Sequence, residues 1–424
     1  MKIMVIGSGG REHAIIKKLK KSPQVDIIYA IPGNGGIAAD AVCIDINATD
    51  VGAVATFAND NYVDFAIVAP DDPLVLGMVD ELEAAGIAAF GPNKAAAIIE
   101  GSKAFSKELM KKYGIPTAEY EIFTRLDAAL SYIDKATPPL VVKADGLALG
   151  KGVIIALTQD EAKNAVRSMM VDKVFGDSGS LVVIEEFLEG PEVSVLSFTD
   201  GKTLVPMVSS MDHKRALDGD NGLNTGGMGA IAPNPYYTDE LARECMETIF
   251  LPTMNAMNAE GRTFKGCLYF GLMLTKSGPK VIEYNCRFGD PETQVVLPLL
   301  QGDLVDIMQS CRNGTLAGTE FSFSKKSAAC VIVASGGYPL EYKKGAHISL
   351  PDLPENIQIF VSGAKLSEGE LHTNGGRVLG VTAVADTLEA AISRAYEIVP
   401  DVKFIDAFYR RDIGKKALEA LKNT

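Results

Sequence analysis

The run EYNCRFGDPETQ, Glu283 to Gln294, gathers more reactive side chains than any other stretch of the chain. It follows Lys280, Val281 and Ile282, which read as the approach of a strand. Alternate residues of a strand share a face, so Glu283, Asn285 and Arg287 project from one side. A carboxylate and an amide oxygen are hard ligands of the kind Mg²⁺ takes, usually one or two with substrate phosphates completing the shell. Arg287 beside them can clamp a phosphoryl or carboxylate oxygen through two N–H groups. A salt bridge at a strand end would use the same Glu and Arg. The continuation RFGDPE, a Gly and Pro turn carrying Asp290 and Glu292, favours chemistry over that plainer use.

Three segments upstream supply complementary groups. PLVVKADGLALGKGV, Pro139 to Val153, sets Lys143 near the end of an apolar strand and Lys151 in a glycine-rich turn. A lysine on a buried strand is costly unless an anion meets it. The two amines, with the N–H groups around Gly146, Gly150 and Gly152, would cradle a polyphosphate as an anion nest does. The spacing is not that of a Walker A loop, and a glycine hairpin with a solvated Lys151 is the competing reading. LVVIEEFLEGPEVS, Leu181 to Ser194, runs a strand into Glu185 and Glu186, then Phe187 and Leu188. That offers backbone hydrogen bonds and apolar cover to an adenine ring, with Glu192 placed to accept from ribose hydroxyls. An acidic hairpin with Phe187 in the core explains any one of these residues; only the modules together make a nucleotide site persuasive. VSSMDHKRALDGDNGLNTGGMGA, Val208 to Ala230, puts Asp212, His213, Lys214 and Arg215 ahead of a glycine loop. Glycines let backbone approach a ligand, which favours a substrate contact over a mobile surface loop. His213 as a general base has no Ser or Cys nucleophile beside it.

VIGSGGREH, Val5 to His13, invites a dinucleotide reading but has Glu12 where the third glycine of that fingerprint stands. The turn can still offer N–H groups and Arg11 to a phosphate at a helix N-terminus.

The elements that position these groups follow from periodicity. KIMVIG, a glycine turn and an amphipathic stretch to Lys21 give strand, turn and helix in the order of a parallel sheet. Strands at Asp26 to Ile31, Phe65 to Pro70 and Ile87 to Pro92, with helices over Val51 to Asn59 and Leu74 to Ala85, continue an open α/β unit over residues 1–100. Ser102 to Gly114 is a capped helix. Between Thr117 and Glu189 the order strand, helix, strand, glycine loop, strand, helix, strand describes a small lobe, residues 117–190. A central domain over 101–116 and 191–322 has longer strands, and a last domain over 323–424 includes a helix from Leu388 to Ile398.

Length and composition agree with several domains: 424 residues and 47% hydrophobic content supply more than one core. The formal charge of −13, with no basic block, disfavours a nucleic-acid groove. The six cysteines show no paired or metal-ligand spacing with the four histidines and read as reduced cytosolic thiols. The N-terminus, a short strand followed at once by charged residues, does not read as a signal peptide, and no apolar run is long enough to suggest a bilayer span.

With these modules in this order, the chain resembles the ATP-grasp ligases and, within them, the glycinamide ribonucleotide synthetases of purine biosynthesis. The landmarks are GSGGREH, PGNGG, EGSKAFSK, KADGLALGKGV, IEEFLEGPE, DHKR, NTGGMG, CLYFGLM, RFGDPETQ, ASGGYP and TNGGRVLGVTA. RFGDPETQ is the most specific of them. Departures are APDDPL where the family has a Gly-Pro-Glu run, Leu223 where it has a proline, and LYFGLML without the acidic ligand that many ATP-grasp strands carry there. The resemblance implies an α/β ATP-grasp architecture with an N-terminal open parallel-sheet domain, a small α/β lid and a C-terminal α/β domain. It implies ATP with Mg²⁺ or Mn²⁺, and glycine and 5-phosphoribosylamine as small-molecule substrates in the cytoplasm, with no nucleic-acid or membrane partner. It assigns Lys103, Lys143, Gly150, Lys151, Gly152, Glu185, Glu186, Phe187, Leu188 and Glu192 to the nucleotide, and Glu283 and Asn285 to the metal. Arg287, Asp290, Asp212 and Lys214 become the catalytic set. Asp290, Glu292 or Asp212 would hold the glycine ammonium. Gly9, Gly10, Arg11 and Lys214 are candidates for the sugar phosphate, and Thr225, Gly226 and Gly227 for substrate contact. Another ATP-grasp ligase or carboxylase of the same pathway, a dinucleotide oxidoreductase and a nucleotide sensor are the competing functions.

Overall fold

The computed structural model describes residues 1–147 and 152–422. Five apolar runs near the N-terminus form strands β1 (Lys2–Gly7), β2 (Ile27–Pro32), β3 (Val42–Cys43), β4 (Phe65–Val68) and β5 (Ala88–Phe90). They pair in parallel in the order β3-β2-β1-β4-β5, with Val5 opposite both Ala30 and Ile67. Central β1 and β4 are buried along nearly their whole length, as expected of parallel strands covered on both faces. The helix expected over Leu74 to Ala85 is two helices, Asp71–Leu76 and Met78–Ala84. Gly77, at φ 98°, ends the first in the left-handed conformation that glycine alone adopts cheaply.

The helix Lys103–Tyr113 has the caps its sequence announces: Ser102 Oγ accepts from the Phe105 amide, and Gly114 closes it at φ 68°. Beyond it, β6 (Tyr120–Phe123), β7 (Leu140–Ala144), β8 (Val153–Ala156) and β9 (Val182–Glu186) form an antiparallel sheet in the order β6-β9-β7-β8. Helices Leu126–Ile133 and Gln159–Met170 pack on this sheet over a hydrophobic cluster of its own, including Ala129, Val142, Val166, Met169 and Ile184.

The longer strands that follow make a second antiparallel sheet, ordered Leu204–Pro206, Glu192–Thr199, Gly266–Thr275, Gly278–Asn285. Val193, Leu268, Phe270 and Tyr284 of this sheet share one hydrophobic cluster with Met4, Ile6 and Val68, so the N-terminal unit packs directly against the central one. The C-terminal sheet is built on Ser327–Ser335, Arg377–Ala385 and Ile357–Val361. It also takes in Met211–Asp212 and Gly229–Ala232, which the sequence reading grouped with the central domain. Gly229–Ala232 is four small or apolar residues, all buried, and pairs with Ser327–Ser335 so that Ala230 faces Cys330. That crossing carries the DHKR and NTGG segments to the seam between the two sheets. No helix among the described residues is long and apolar enough to cross a membrane.

Candidate active site

Strand Gly278–Asn285 places Glu283 and Asn285 half-buried on one face, and Arg287, just past its end, stays with them: its Nη2 lies 3.3 Å from Asn285 Oδ1. They open on a cavity of about 890 Å³. Lys103, Lys143, Gly152, Glu185, Glu186, Phe187, Leu188 and Glu192, from helix Lys103–Tyr113, the lobe and the strand after it, form one group of its lining, the first end; Asp212, Lys214, Thr225, Gly226, Asp290 and Glu292 form the other, and the Glu192–Lys214 pair joins them. Gly150 and Lys151 lie outside the described residues.

At the first end cations meet carboxylates in pairs. Lys143 Nζ lies 2.9 Å from Glu185 Oε1 and donates to the Ile282 carbonyl at 3.1 Å, which ties it to the strand bearing Glu283. Lys103 Nζ donates to the Gly146 carbonyl at 2.5 Å. Asp145, beside Gly146, accepts from the Ser102 hydroxyl and the Ala104 amide, so the turn after β7 caps the helix of Lys103. Glu186 pairs with Lys280 at 2.9 Å, and Glu192 with Lys214 at 3.1 Å. Lys214 also stands 3.6 Å from Glu283. Glu192 and Glu283 hold its ammonium well above the usual lysine range. Burial pushes the Glu283 carboxyl up, but Lys214, Lys143, Lys103 and Arg287 together hold it below its ordinary value, so it keeps its charge. A charged carboxylate and an amide oxygen on one face suit a Mg²⁺ shared with phosphates. Among the described residues no three His, Cys, Asp or Glu side chains converge on a metal position.

The Arg287 fork is not free for a substrate oxygen. Its Nη2 donates to Glu100 Oε1 at 2.9 Å and lies 3.6 Å from Asp71 Oδ2, while its buried Nε has no hydrogen-bond partner. Glu100 is buried, accepts from the Cys286 amide at 2.7 Å as well, and needs that guanidinium to offset its charge. This also places Asp71 of the divergent APDDPL run: burial raises its carboxyl, and Arg287 and Arg11 bring it below the usual value.

The other end collects carboxylates. Asp290 is compensated: Gln294 Nε2 donates to it at 2.7 Å, Arg377 Nη1 lies 3.4 Å away, and Arg377 and Arg11 outweigh its burial. Asp212 is not. Burial first, then the charge of Glu292, pushes its carboxyl well above the ordinary range, and its Oδ1 is buried without a hydrogen-bond partner. Glu292 is likewise raised by burial; its Oε1 accepts from the Tyr269 hydroxyl at 3.1 Å, which contacts Ser194 Oγ at 2.7 Å. An ammonium group placed between Asp212 and Glu292 would favour the charged form of both.

The NTGG loop closes this end. Gly227, at φ +111°, has room for no side chain: a Cβ would lie 2.4 Å from Pro291 Cδ and 2.6 Å from Asp212 Oδ1. Arg377 Nη1 donates to the Gly226 carbonyl at 2.6 Å and the Asp290 carbonyl at 2.9 Å, stitching loop to turn. The preceding hairpin is anchored by the C-terminal segment through Gly219 N–H to Asp412 and Arg410 to Asp220. His213 belongs to that anchoring. Its Nε2 accepts from the Gly414 amide at 3.0 Å and its Nδ1 faces the Gly229 carbonyl at 3.3 Å. Burial, then Arg410, pulls its pKa down to about 4, so it is a neutral brace rather than a base.

The N-terminal turn is not brought into the cavity. Glu12 folds back: its Oε2 accepts from the Gly9 amide at 2.6 Å and its Oε1 from Arg11 Nε at 2.6 Å. Arg11 Nη1 is then committed to the Phe288 carbonyl at 3.2 Å. Gly10 is packed so closely on Gln294 that a Cβ would lie 2.6 Å from its Nε2. Gly9, Gly10 and Arg11 therefore brace the RFGDPE turn from behind and do not line the cavity. Glu12 stands three residues after Gly9, the spacing at which a glutamate reaches back to the amide that opens its helix. Glu100, Arg377, Tyr269 and Ser194 carried no such local mark.

Models of the phosphoribosylglycinamide synthetase N domain, ATP-grasp (A) domain and C domain match residues 1–100, 101–293 and 328–416. A phosphoribosylamine–glycine ligase of Pasteurella multocida is 46% identical over 427 residues, covering 100% of both chains. That of Halalkalibacterium halodurans is 47% identical over 419 residues, covering 99% of this chain and 97% of its own. Among solved structures, the phosphoribosylamine–glycine ligase of Thermotoga maritima superposes with a TM-score of 0.83 at 33% identity, covering 97% of this chain and 100% of that one. A biotin carboxylase of Campylobacter jejuni, at TM-score 0.75 and 12% identity over 96% of this chain and 92% of its own, shares the fold alone.

Proposed function

We propose, since this chain belongs to the phosphoribosylglycinamide synthetase family, that the cavity is where it ligates glycine to 5-phosphoribosylamine, one end serving ATP and the other serving glycine. The reaction passes through glycyl phosphate and yields glycinamide ribonucleotide, ADP and phosphate, a step of de novo purine biosynthesis. A carboxylate is a poor electrophile, so glycine is activated as the acyl phosphate before the amine attacks its carbonyl and phosphate leaves. The observation that carries the division of labour is that the ammonium groups of Lys214, Lys143 and Lys103 act on Glu283, while in the same cavity the Asp212 carboxyl is pushed up by its burial and by Glu292.

Each group has a task in this reading. Lys103 and Lys143 bind the polyphosphate, with Gly152 beside them, while Phe187 and Leu188 cover the base and Glu192 accepts from the ribose. Glu283 and Asn285 hold Mg²⁺ or Mn²⁺, which when bound offsets charge on the transferring phosphoryl group. Asp212 and Glu292 take the glycine ammonium and so point its carboxylate towards Glu283. Arg287, held by Glu100, supplies positive field at the transfer point, and Lys214 spans both ends. Gly226 and Gly227 close against the substrate. Residues 117–190 act as the lid, 101–116 with 191–322 as the body, and 1–100 and 323–424 as its flanks. Excluding water under the lid protects the acyl phosphate from hydrolysis. The chain works in the cytoplasm on small molecules, and its net charge of −13 suits no nucleic acid.

Omission of substrates tests the function. ADP release should require glycine and phosphoribosylamine together, the latter generated in place from ribose 5-phosphate and ammonia. Equal release with either missing, or with bicarbonate in place of glycine, would overturn it.

A further inference from the structure

Of the four lysines of helix Lys103–Tyr113, the first two stand one turn apart, and Lys103 reaches out to a backbone turn of the lid. The second, Lys107, is 2% exposed. Its ammonium lies 2.9 Å from Glu185 Oε2, donates to Thr117 Oγ1 at 2.8 Å, and stands 5.6 Å from the centre of the Tyr120 ring. Thr117 in turn donates to the Val281 carbonyl at 2.7 Å. Glu185 is 3% exposed and its other oxygen faces Lys143, so one buried carboxylate is shared by two ammonium groups. A lone buried lysine is expensive, and burial does pull Lys107 down to about 8 against the attraction of Glu185. Such an arrangement needs a reason, because a methionine would fill the same space without a charge to bury.

The reason lies in what Glu185 would otherwise do. Paired one to one with Lys143 in a low-dielectric pocket, it would neutralise the cation that faces the polyphosphate. With Lys107 holding the far oxygen, the trio keeps a net positive charge on the cavity side. The same ammonium reaches Thr117, where the chain leaves the body for the lobe, and through it the strand of Glu283. We propose that Lys107 is a positioning residue for ATP, holding Glu185 from behind so that Lys143 stays available to phosphate oxygens and the lobe keeps its register with the metal-bearing strand. This rests on the nucleotide reading of that end of the cavity.

The test is ATP affinity of the full-length variants by titration calorimetry, beside steady-state KM for glycine. Lys107→Met should raise the Kd for ATP roughly ten-fold or more, because removing one member of a buried ion cluster unbalances the rest. The KM for glycine should change less than about two-fold, and Lys107→Arg should recover part of the loss. The double variant Lys107→Met with Glu185→Gln should bind ATP more tightly than Lys107→Met alone, since removing both partners costs less than stranding one. If Lys107→Met is too unstable to assay, the comparison becomes the double variant against Glu185→Gln, and the double should bind at least as tightly. Parental ATP affinity in Lys107→Met, or losses that simply add in the double variant, would overturn the proposal. Lys143→Met separates the layers: if it binds ATP like the parent, the nucleotide reading of this end fails as well. If it binds weakly while Lys107→Met does not, only the role of Lys107 fails.

Discussion

At the end of the cavity proposed for ATP one carboxylate, Glu185, has two buried ammonium groups at 2.9 Å, whereas at the end proposed for glycine Asp212 has no such ion pair among the described residues and sits under the repulsion of Glu292. On the proposed reading the same residue types make an anion site in one place and a cation site in the other. What differs is how each carboxylate was compensated during folding. Glu185 was given more positive charge than it needs, and Asp212 less. Asp290, only two residues from Glu292, shows the intermediate case: Arg377 and Gln294 meet it while it still lines the cavity.

Mutations should separate the two ends. The largest effect is expected at their junction. Glu283→Gln should lower kcat by about 10²–10³-fold and raise the Mg²⁺ needed for half-maximal rate, as loss of one preorganised electrostatic partner does. Asn285→Ala should do the same more weakly. Parental rates in both at limiting Mg²⁺ would move the metal elsewhere and dissolve the division. Next comes Asp212→Asn, which should cut kcat/KM for glycine about 10- to 100-fold, the worth of a charge-assisted contact. Calorimetric ATP affinity should stay near parental, and a loss there instead would mean that Asp212 belongs to the nucleotide end.

A smaller effect is expected from His213, which braces the glycine end. Its pKa falls from 6.5 to about 4 in the fold, so between those values the unfolded chain binds a proton that the native one does not. Stability from this group is complete above about pH 6.5 and is lost as pH falls towards 4, by roughly 3 kcal/mol over the whole window. His213→Gln keeps an acceptor for the Gly414 amide without titrating, so its Tm should fall less than the parent's between pH 6.5 and 4.5. Parallel Tm profiles would remove the brace. The smallest effect belongs to Lys280→Ala, which loses a partly exposed pair with Glu186 at the rim of the ATP end. Such pairs are worth about 0–1 kcal/mol, so ATP affinity should change no more than a few-fold.

Much of this was legible locally. The shared face of Glu283 and Asn285 follows from strand alternation, the helix after Ser102 from its caps, and the lysine of β7 from the cost of burying it. What escaped is long-range pairing. Arg287 and Glu100 are 187 residues apart, and nothing near either says that the guanidinium faces inward. Arg377 on the Gly226 carbonyl, and Gly229–Ala232 in the C-terminal sheet, are likewise choices made by tertiary packing. The Gly9 amide is a different case: Glu12, three residues on, already accepts from it.

The central claim is that the glycine carboxylate meets the transferring phosphoryl group where the two ends join at Glu283. Turnover of glycine labelled with ¹⁸O in its carboxylate tests it most directly, with the released inorganic phosphate read by mass spectrometry. The account predicts one ¹⁸O in each phosphate, carried there when the amine displaces phosphate from glycyl phosphate. Phosphate free of label, with one ¹⁸O kept in the amide and the other lost to water, would contradict it.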